Sequence, residues 1–139
     1  MSRPNPIILA LIALIYFALL AALLVAKGGL YTAAHEGDLF HHADIAFRMA
    51  RGAVIHADFM TPLGVLSMLP IVKLMQAGFG PGMAFIWCQV LLTAALLPTI
   101  LYAAWSRFPE WTAHAFALVT VTVMMALVHG GANVGLSVS

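Results

Sequence analysis

The stretch that decides the fold class is IILALIALIYFALLAALLVA, residues 7–26, which contains no charged side chain. Twenty helical residues rise about 30 Å, the thickness of the hydrocarbon core of a bilayer. Arg3 precedes the run, as in a signal peptide, but the apolar core is longer than the roughly 7–15 residues of a signal sequence. We therefore predict a retained transmembrane helix here.

The rest of the chain shares this apolar character. Its 139 residues are 63% hydrophobic and 8% charged, with a mean hydropathy of +1.02. The net charge of +1 and the scattered basic residues give no indication of a nucleic-acid partner, and we expect none. The composition predicts an all-α integral membrane protein whose residues 1–139 form a single membrane domain in contact with membrane lipid.

Glycine and proline breaks divide the remaining apolar sequence into further helices. Transmembrane helices are predicted over residues 7–26, 62–77, 83–105 and 111–128, about four in all. The second is short and contains Pro70, which is expected to kink it. Its start is predicted from Thr61 as the N-cap and Pro62 as the first helical residue.

An amphipathic helix is predicted over residues 38–51, in the loop after the first membrane helix. Polar residues recur at helical spacing and form one stripe, at Asp38, His41, Asp44, Arg48 and Arg51. Apolar residues at the same spacing form another face, at Phe40, Ala43, Phe47 and Ala50. Asp44 and Arg48 stand at i and i+4, the spacing of a helical ion pair. Such a helix suits the membrane surface.

Residues 35–66 gather the ionisable chemistry of the chain, with four of its five carboxylates and four of its six histidines. His35, Asp38 and His42 are candidate metal ligands, for which carboxylates favour Mg²⁺ or Mn²⁺ and imidazoles favour Zn²⁺. A solvated loop without a metal explains the same residues. His114 and His129 are candidates for binding a haem or chlorophyll metal, although a hydrogen bond to a neighbouring helix is the commoner role of such a histidine.

The same loop offers a general base and a phosphate-binding pair. Desolvation beside an apolar surface would raise the pKa of a carboxyl group toward working pH, as proton abstraction from a hydroxyl requires. The candidate bases are Glu36, Asp38 and Asp58, and Arg48 and Arg51 could bind phosphate. A solvated arginine face is the ordinary alternative for the two arginines.

The order of these features resembles the first loop of GT-C-type membrane glycosyltransferases. One transmembrane helix, the acids of HEGD (residues 35–38), an amphipathic helix ending in Arg51-Gly52 and the segment HADFMTPLG (residues 56–64) follow one another as in that group. More narrowly, the chain is similar to the mannosyltransferases and aminoarabinose transferases that use polyprenyl-phosphate sugars. The similarity covers about residues 7–77.

The resemblance implies transfer of a sugar from a polyprenyl-phosphate donor to an acceptor hydroxyl. It implies catalytic roles for Glu36 or Asp38. Either the substrate-binding candidates Arg48 and Arg51 or a divalent cation cofactor, Mg²⁺ or Mn²⁺, would offset the charge of the departing phosphate, and Asp58 is a further substrate-binding candidate. Family members have about twice as many helices and a further domain, so the resemblance also implies that this sequence is the N-terminal part of a longer protein.

The sidedness of the loop is indicated by two arguments that disagree. Counting lysines and arginines places the charged loop in the cytoplasm. The resemblance implies a periplasmic first loop in the inner membrane of a bacterium, and we follow the resemblance here.

A different class of protein also fits the sequence. A non-catalytic accessory subunit of a photosynthetic or respiratory membrane complex would pack its helices against partner transmembrane helices or pigments. The short chain, its small residues and its eight methionines suit that role.

Overall fold

The computed structural model describes residues 3–28, 36–62 and 64–126, with side chains in the second range described from Phe40 onward. Within these ranges the regular structure is helical and there is no β-strand, which confirms the all-α class. The helices are α1 (Pro6–Lys27), α2 (Glu36–Ala50), α3 (Val65–Gln76), α4 (Pro81–Arg107) and α5 (Glu110–Ala126).

Two of these helices, α1 and α4, are long and apolar enough to cross a membrane. Each begins and ends within two residues of the membrane helix predicted there. At 12 residues, α3 rises only about 18 Å, too little to cross the hydrocarbon alone. The described part of α5 has 17 residues and ends at Ala126, and the predicted residues 127–128 lie outside the described ranges.

The start of α3 differs from the prediction. Its N-cap is Gly64, three residues after Thr61, and the Ser67 hydroxyl donates to the Gly64 carbonyl at 2.6 Å. Thr61 is instead buried in the segment that precedes the helix. The Thr-Pro pair is a local signal, and the packing of the segment around Thr61 overrides it.

The chain divides into two compact units. Unit 1 comprises Met1–Lys27 and Gln89–Leu127, and it contains α1, most of α4, and α5. Its buried cluster consists of Leu9, Ile100, Ala104, Ala113 and Ala117. Leu9 therefore packs beside the end of α4 and the start of α5, at the same end of the unit as the link between those two helices.

The direction of α1 follows from a second contact in unit 1. Tyr16, seven residues after Leu9, shares a hydrogen bond of 2.7 Å with Thr122 of α5. Leu9 lies near the start of α5 and Tyr16 lies near Thr122, farther along both helices, so α1 and α5 run parallel. Because α4 ends next to the start of α5, α4 is antiparallel to both. The chain accordingly leaves this unit at Lys27 and returns at Gln89 at the same end. Four alternating membrane helices would instead make the first and last antiparallel.

Two polar side chains inside unit 1, those of Gln89 and Thr93, donate hydrogen bonds to backbone carbonyls. The Gln89 side chain donates from Nε2 to the Met124 carbonyl of α5. Thr93, fully buried on α4, donates to the Gln89 carbonyl at 2.9 Å. Because buried donors without partners are costly, these bonds remove most of the penalty of placing amide and hydroxyl groups in an apolar interior.

Unit 2 comprises Gly28–Cys88 and Val128–Ser139, of which residues 28, 36–62 and 64–88 are described. Helix α2 packs against α3. The buried cluster of the unit is formed by Ile45, Ala46, Ile55, Met68, Ile71, Val72, Ala84 and Cys88. Cys88 is a buried free thiol and packs in this cluster as a small hydrophobic residue.

The face of α2 that packs inside unit 2 differs from the predicted apolar face, with which it shares only Ala50. Ile45 and Ala46 are buried, with Met49 and Ala50 packed beside them, whereas Phe40 is 66% exposed and Phe47 41% exposed. The helix has two apolar stripes, and unit 2 buries the one built of smaller side chains. The polar stripe is solvent-exposed as predicted at Asp44, Arg48 and Arg51.

The alanines of α5 provide a direct test of packing in unit 1. Ala113 is 0% exposed and Ala115, two residues later, is exposed. We expect Ala113→Leu to lower the free energy of unfolding by about 1–3 kcal/mol because the added side chain has no space. Ala115→Leu is the matched control and should change it little. Thermal unfolding of purified protein measures both, and equal effects would contradict the packing described.

Candidate functional site

The two carboxylates proposed as catalytic lie at the start of α2. The helix begins at Glu36, so Glu36 and Asp38 both fall in its first turn. The positive end of the helix dipole favours negative charge at these positions. Their side chains lie outside the described part of the structure, so their catalytic assignment stays a prediction.

The predicted metal ligands are described only in part. His35 and the Asp38 side chain lie outside the described residues, and His42 is half-buried on α2. Asp38 and His42 are at i and i+4 on α2, so both ligands would lie on one helical face. Among the described residues, no group of three or more metal-binding side chains is close enough to hold an ion. The metal site stays a prediction.

Arg48 contacts two side chains of its own unit, Asp44 and Phe59. Its Nε donates to Asp44 Oδ2 at 2.8 Å, which confirms the predicted i, i+4 pair. Its guanidinium carbon also lies 5.7 Å from the centre of the Phe59 ring. Since both partners of the ion pair are about half exposed, the pair contributes only about 0.3–0.5 kcal/mol. Binding a phosphate at Arg48 would compete with Asp44.

Arg51 follows α2 directly and has a different environment. Its guanidinium carbon lies 4.0 Å from the centre of the Phe47 ring, a close cation–π contact one helical turn back. No carboxylate forms an ion pair with Arg51 among the described side chains. Of the two arginines predicted to bind phosphate, Arg51 is the one whose charge the described structure leaves uncompensated.

Asp58 stabilises a tight loop between α2 and α3. Its Oδ2 accepts a hydrogen bond from the Val54 amide at 2.7 Å, and its own amide donates to the Val54 carbonyl at 2.9 Å. The His56 amide donates to the Phe59 carbonyl at 2.8 Å, which completes the loop. These contacts give Asp58 a structural role in addition to the predicted substrate-binding one.

His56 sits at the tip of this loop in an unusual backbone conformation. Its φ is +66°, in the left-handed region that residues other than glycine adopt uncommonly. The His56 side chain is exposed, so the backbone conformation of His56 is maintained by the hydrogen bonds of the loop, which involve Asp58 and Phe59. Histidine is one of the few non-glycine residues enriched at positive φ, so the residue type is compatible with this conformation, but it is too weak a signal to predict it.

Distances along α2 separate the acids from the arginines. Arg48 follows Asp38 by ten positions, and at the rise of the helix the two are about 15 Å apart along its axis. Arg51 is farther along by about another 4.5 Å. Glu36 and Asp38 therefore form one candidate site at the start of α2, and Arg51 with Phe47 forms a second one at its end.

His114 lies on α5 in unit 1 and makes a bond within its own helix. Its Nδ1 is 2.7 Å from the Glu110 carbonyl oxygen, which can only accept, so Nδ1 carries the proton and donates. Nε2 is buried and has no hydrogen-bond partner within the described residues. The expected bond to a neighbouring helix is thus replaced by one to the preceding turn. The other candidate, His129, lies outside the described ranges.

Comparisons with known proteins identify no relative of this chain. No family model matches the chain, and neither a curated protein nor a solved structure matches it.

The Asp58 loop makes a prediction about the Val54 amide. Asp58→Ala removes the acceptor and should speed hydrogen exchange at Val54, with a loss of about 1 kcal/mol of local stability. Asp58→Asn keeps a weaker neutral acceptor and should give an intermediate rate.

Asp44→Asn is the control for this experiment. It removes an exposed negative charge from α2 without touching the Val54 amide. Exchange at Val54 should therefore stay at the wild-type rate in this variant. An equal increase in all three variants would mean that net charge, and not the Asp58 hydrogen bond, protects the amide.

Proposed function

We propose that this chain is the N-terminal membrane portion of a GT-C-like glycosyltransferase that moves a sugar from a polyprenyl-phosphate donor to an acceptor hydroxyl. The observation that carries the proposal is the position of Glu36 and Asp38 in the first turn of α2, shortly after the bilayer-length α1 ends at Lys27. An acid that follows a membrane helix by about ten residues of sequence could meet a lipid-linked donor and a water-borne acceptor at the membrane surface.

The proposed reaction inverts the anomeric centre. Glu36 or Asp38 accepts the proton of the acceptor hydroxyl while its oxygen attacks the anomeric carbon. The bond between that carbon and the phosphate oxygen breaks, and polyprenyl phosphate leaves with the bonding electrons.

Positive charge is needed where the phosphate departs. A Mg²⁺ or Mn²⁺ ion with Asp38 as an oxygen ligand would supply it close to the acids. Arg48 is held by Asp44, and Arg51 is about 20 Å along the helix from Asp38. The separation favours the ion over the arginines as the neighbour of the reacting phosphate.

The proposed membrane arrangement follows from the helix directions in unit 1. With α1, α4 and α5 as crossing helices, residues 28–88 begin and end on one side of the bilayer, and the acids lie on that side. Arg3 and Arg107 fall at the opposite end. Lys27, Arg48, Arg51 and Lys73 belong to the acid side, so the charge count favours a cytoplasmic location. The periplasmic face of a bacterial inner membrane is proposed from the resemblance alone.

Two substitutions test the proposed catalytic role. In the full-length protein, Glu36→Gln or Asp38→Asn should reduce transfer from a polyprenyl-phosphate sugar by about 10²- to 10⁴-fold, the usual contribution of a general base. Asp44→Asn removes a carboxylate from the same helix, away from the first turn, and should retain activity. Transfer measured in isolated membranes distinguishes these variants. Undiminished activity in both Glu36→Gln and Asp38→Asn overturns the proposed mechanism.

A second candidate function, an accessory subunit of a membrane complex, is favoured by the surface of α1. Large aliphatic side chains are exposed over about half of its circumference, at Ile7, Ile8, Leu11, Ile12, Leu14, Ile15, Leu19 and Leu23. Lipid or partner transmembrane helices would cover such a surface. Purification in mild detergent decides between the candidates. Recovery in a stable complex, without binding of a lipid-linked sugar, supports the subunit.

A further inference from the structure

The outward face of α2 carries an aromatic edge beside a charged one. Phe40 and Phe47 are seven residues apart, two turns of the same side of the helix, and both are exposed. Asp44 and Arg51 come next around the helix axis, followed by His41 and Arg48, all exposed. The exposed half of α2 therefore changes from aromatic to charged within about a third of a turn.

The contact between Arg51 and Phe47 fixes a charge at this boundary. The guanidinium lies 4.0 Å from the ring centre, and no carboxylate among the described side chains pairs with it. By contrast, Arg48 is paired with Asp44. An exposed aromatic edge with an uncompensated cation on its polar side matches the boundary between acyl chains and anionic headgroups.

We infer that this face of α2, formed by Phe40, Phe47 and Arg51, docks on an anionic bilayer, with the rings at the acyl boundary and the guanidinium on a lipid phosphate. The inference rests on the proposed membrane location of the chain and is independent of the proposed sugar transfer. Chain length supports it, because Glu36 follows the end of α1 by nine residues, which span at most about 30 Å. The bilayer that holds α1 is thus a tethered surface within reach of α2.

Spin labels can measure this docking because Cys88 is the single cysteine of the chain. In a Cys88→Ala background, cysteine is placed singly at Phe40, Phe47, His41 and Leu11, and each variant is labelled and reconstituted in vesicles containing phosphatidylglycerol. A parallel set retains Cys88, whose buried thiol should label poorly. Circular dichroism checks that helicity is unchanged. Accessibility to oxygen reports lipid contact, and accessibility to a water-soluble nickel complex reports water contact.

The inference predicts that labels at Phe40 and Phe47 favour oxygen and that the label at His41, on the charged side of the same helix, favours nickel. Leu11, exposed on α1, is the reference for lipid contact. Adding Arg51→Gln should lower the oxygen preference at Phe40 in phosphatidylglycerol vesicles to the value found in phosphatidylcholine alone.

Each other outcome overturns a separate part of the reasoning. Nickel access at Phe40 and Phe47 with oxygen access at Leu11 rejects the docking and leaves the membrane location intact. Nickel access at Leu11 as well rejects the membrane location, and the docking with it. Low access of both reagents at Phe40 and Phe47 means that protein, and not lipid, covers this face. Transferase activity is not part of the readout, so its absence leaves these results unchanged.

Discussion

Close packing of alanine side chains is the constraint on which the arrangement of unit 1 depends. Ala104, Ala113 and Ala117 are almost completely buried where α4, α5 and the start of α1 meet. Small side chains let helix backbones approach, and dispersion contacts then hold three largely apolar helices together. The polar contacts depend on that closeness, since Tyr16 reaches Thr122 and Gln89 reaches Met124 only across a narrow interface. The parallel direction of α1 and α5 follows from the same packing.

Much of the fold could be predicted because long apolar runs define helices locally. The uncharged run before Lys27 and the run containing Trp87 and Trp105 gave helix bounds within two residues of those observed. The start of α3 was wrong, since a capping signal at Thr61 acts over four residues and the burial of Thr61 depends on the whole loop. The prediction of four alternating spans required the segment that forms α3 to cross the bilayer, and the 12 residues of α3 are too few to do so alone.

The candidate site shows the same division between local and long-range information. The Asp44–Arg48 pair was predictable because helix geometry alone sets its spacing. The buried stripe of α2 was not predictable from the sequence, because Ile45 and Ala46 pack against residues of α3 and the start of α4. The role of Asp58 in binding the Val54 amide depends on a loop closure that no short motif encodes. His114 bonds to a carbonyl four residues earlier, a contact available to any helical histidine.

The hydrogen bond between Tyr16 and Thr122 has a consequence for biosynthesis. Its partners are 106 residues apart in the chain, and α5 is made last of the described helices. At translation rates of about 5–20 residues per second, Tyr16 emerges from the ribosome roughly 5–20 s before Thr122 exists. During that interval α1 is without its neighbour α5, and the Tyr16 hydroxyl is without its partner Thr122. A helix with an aliphatic surface as broad as that of α1 is suited to a lipid environment until the later helices are synthesised and pack against it.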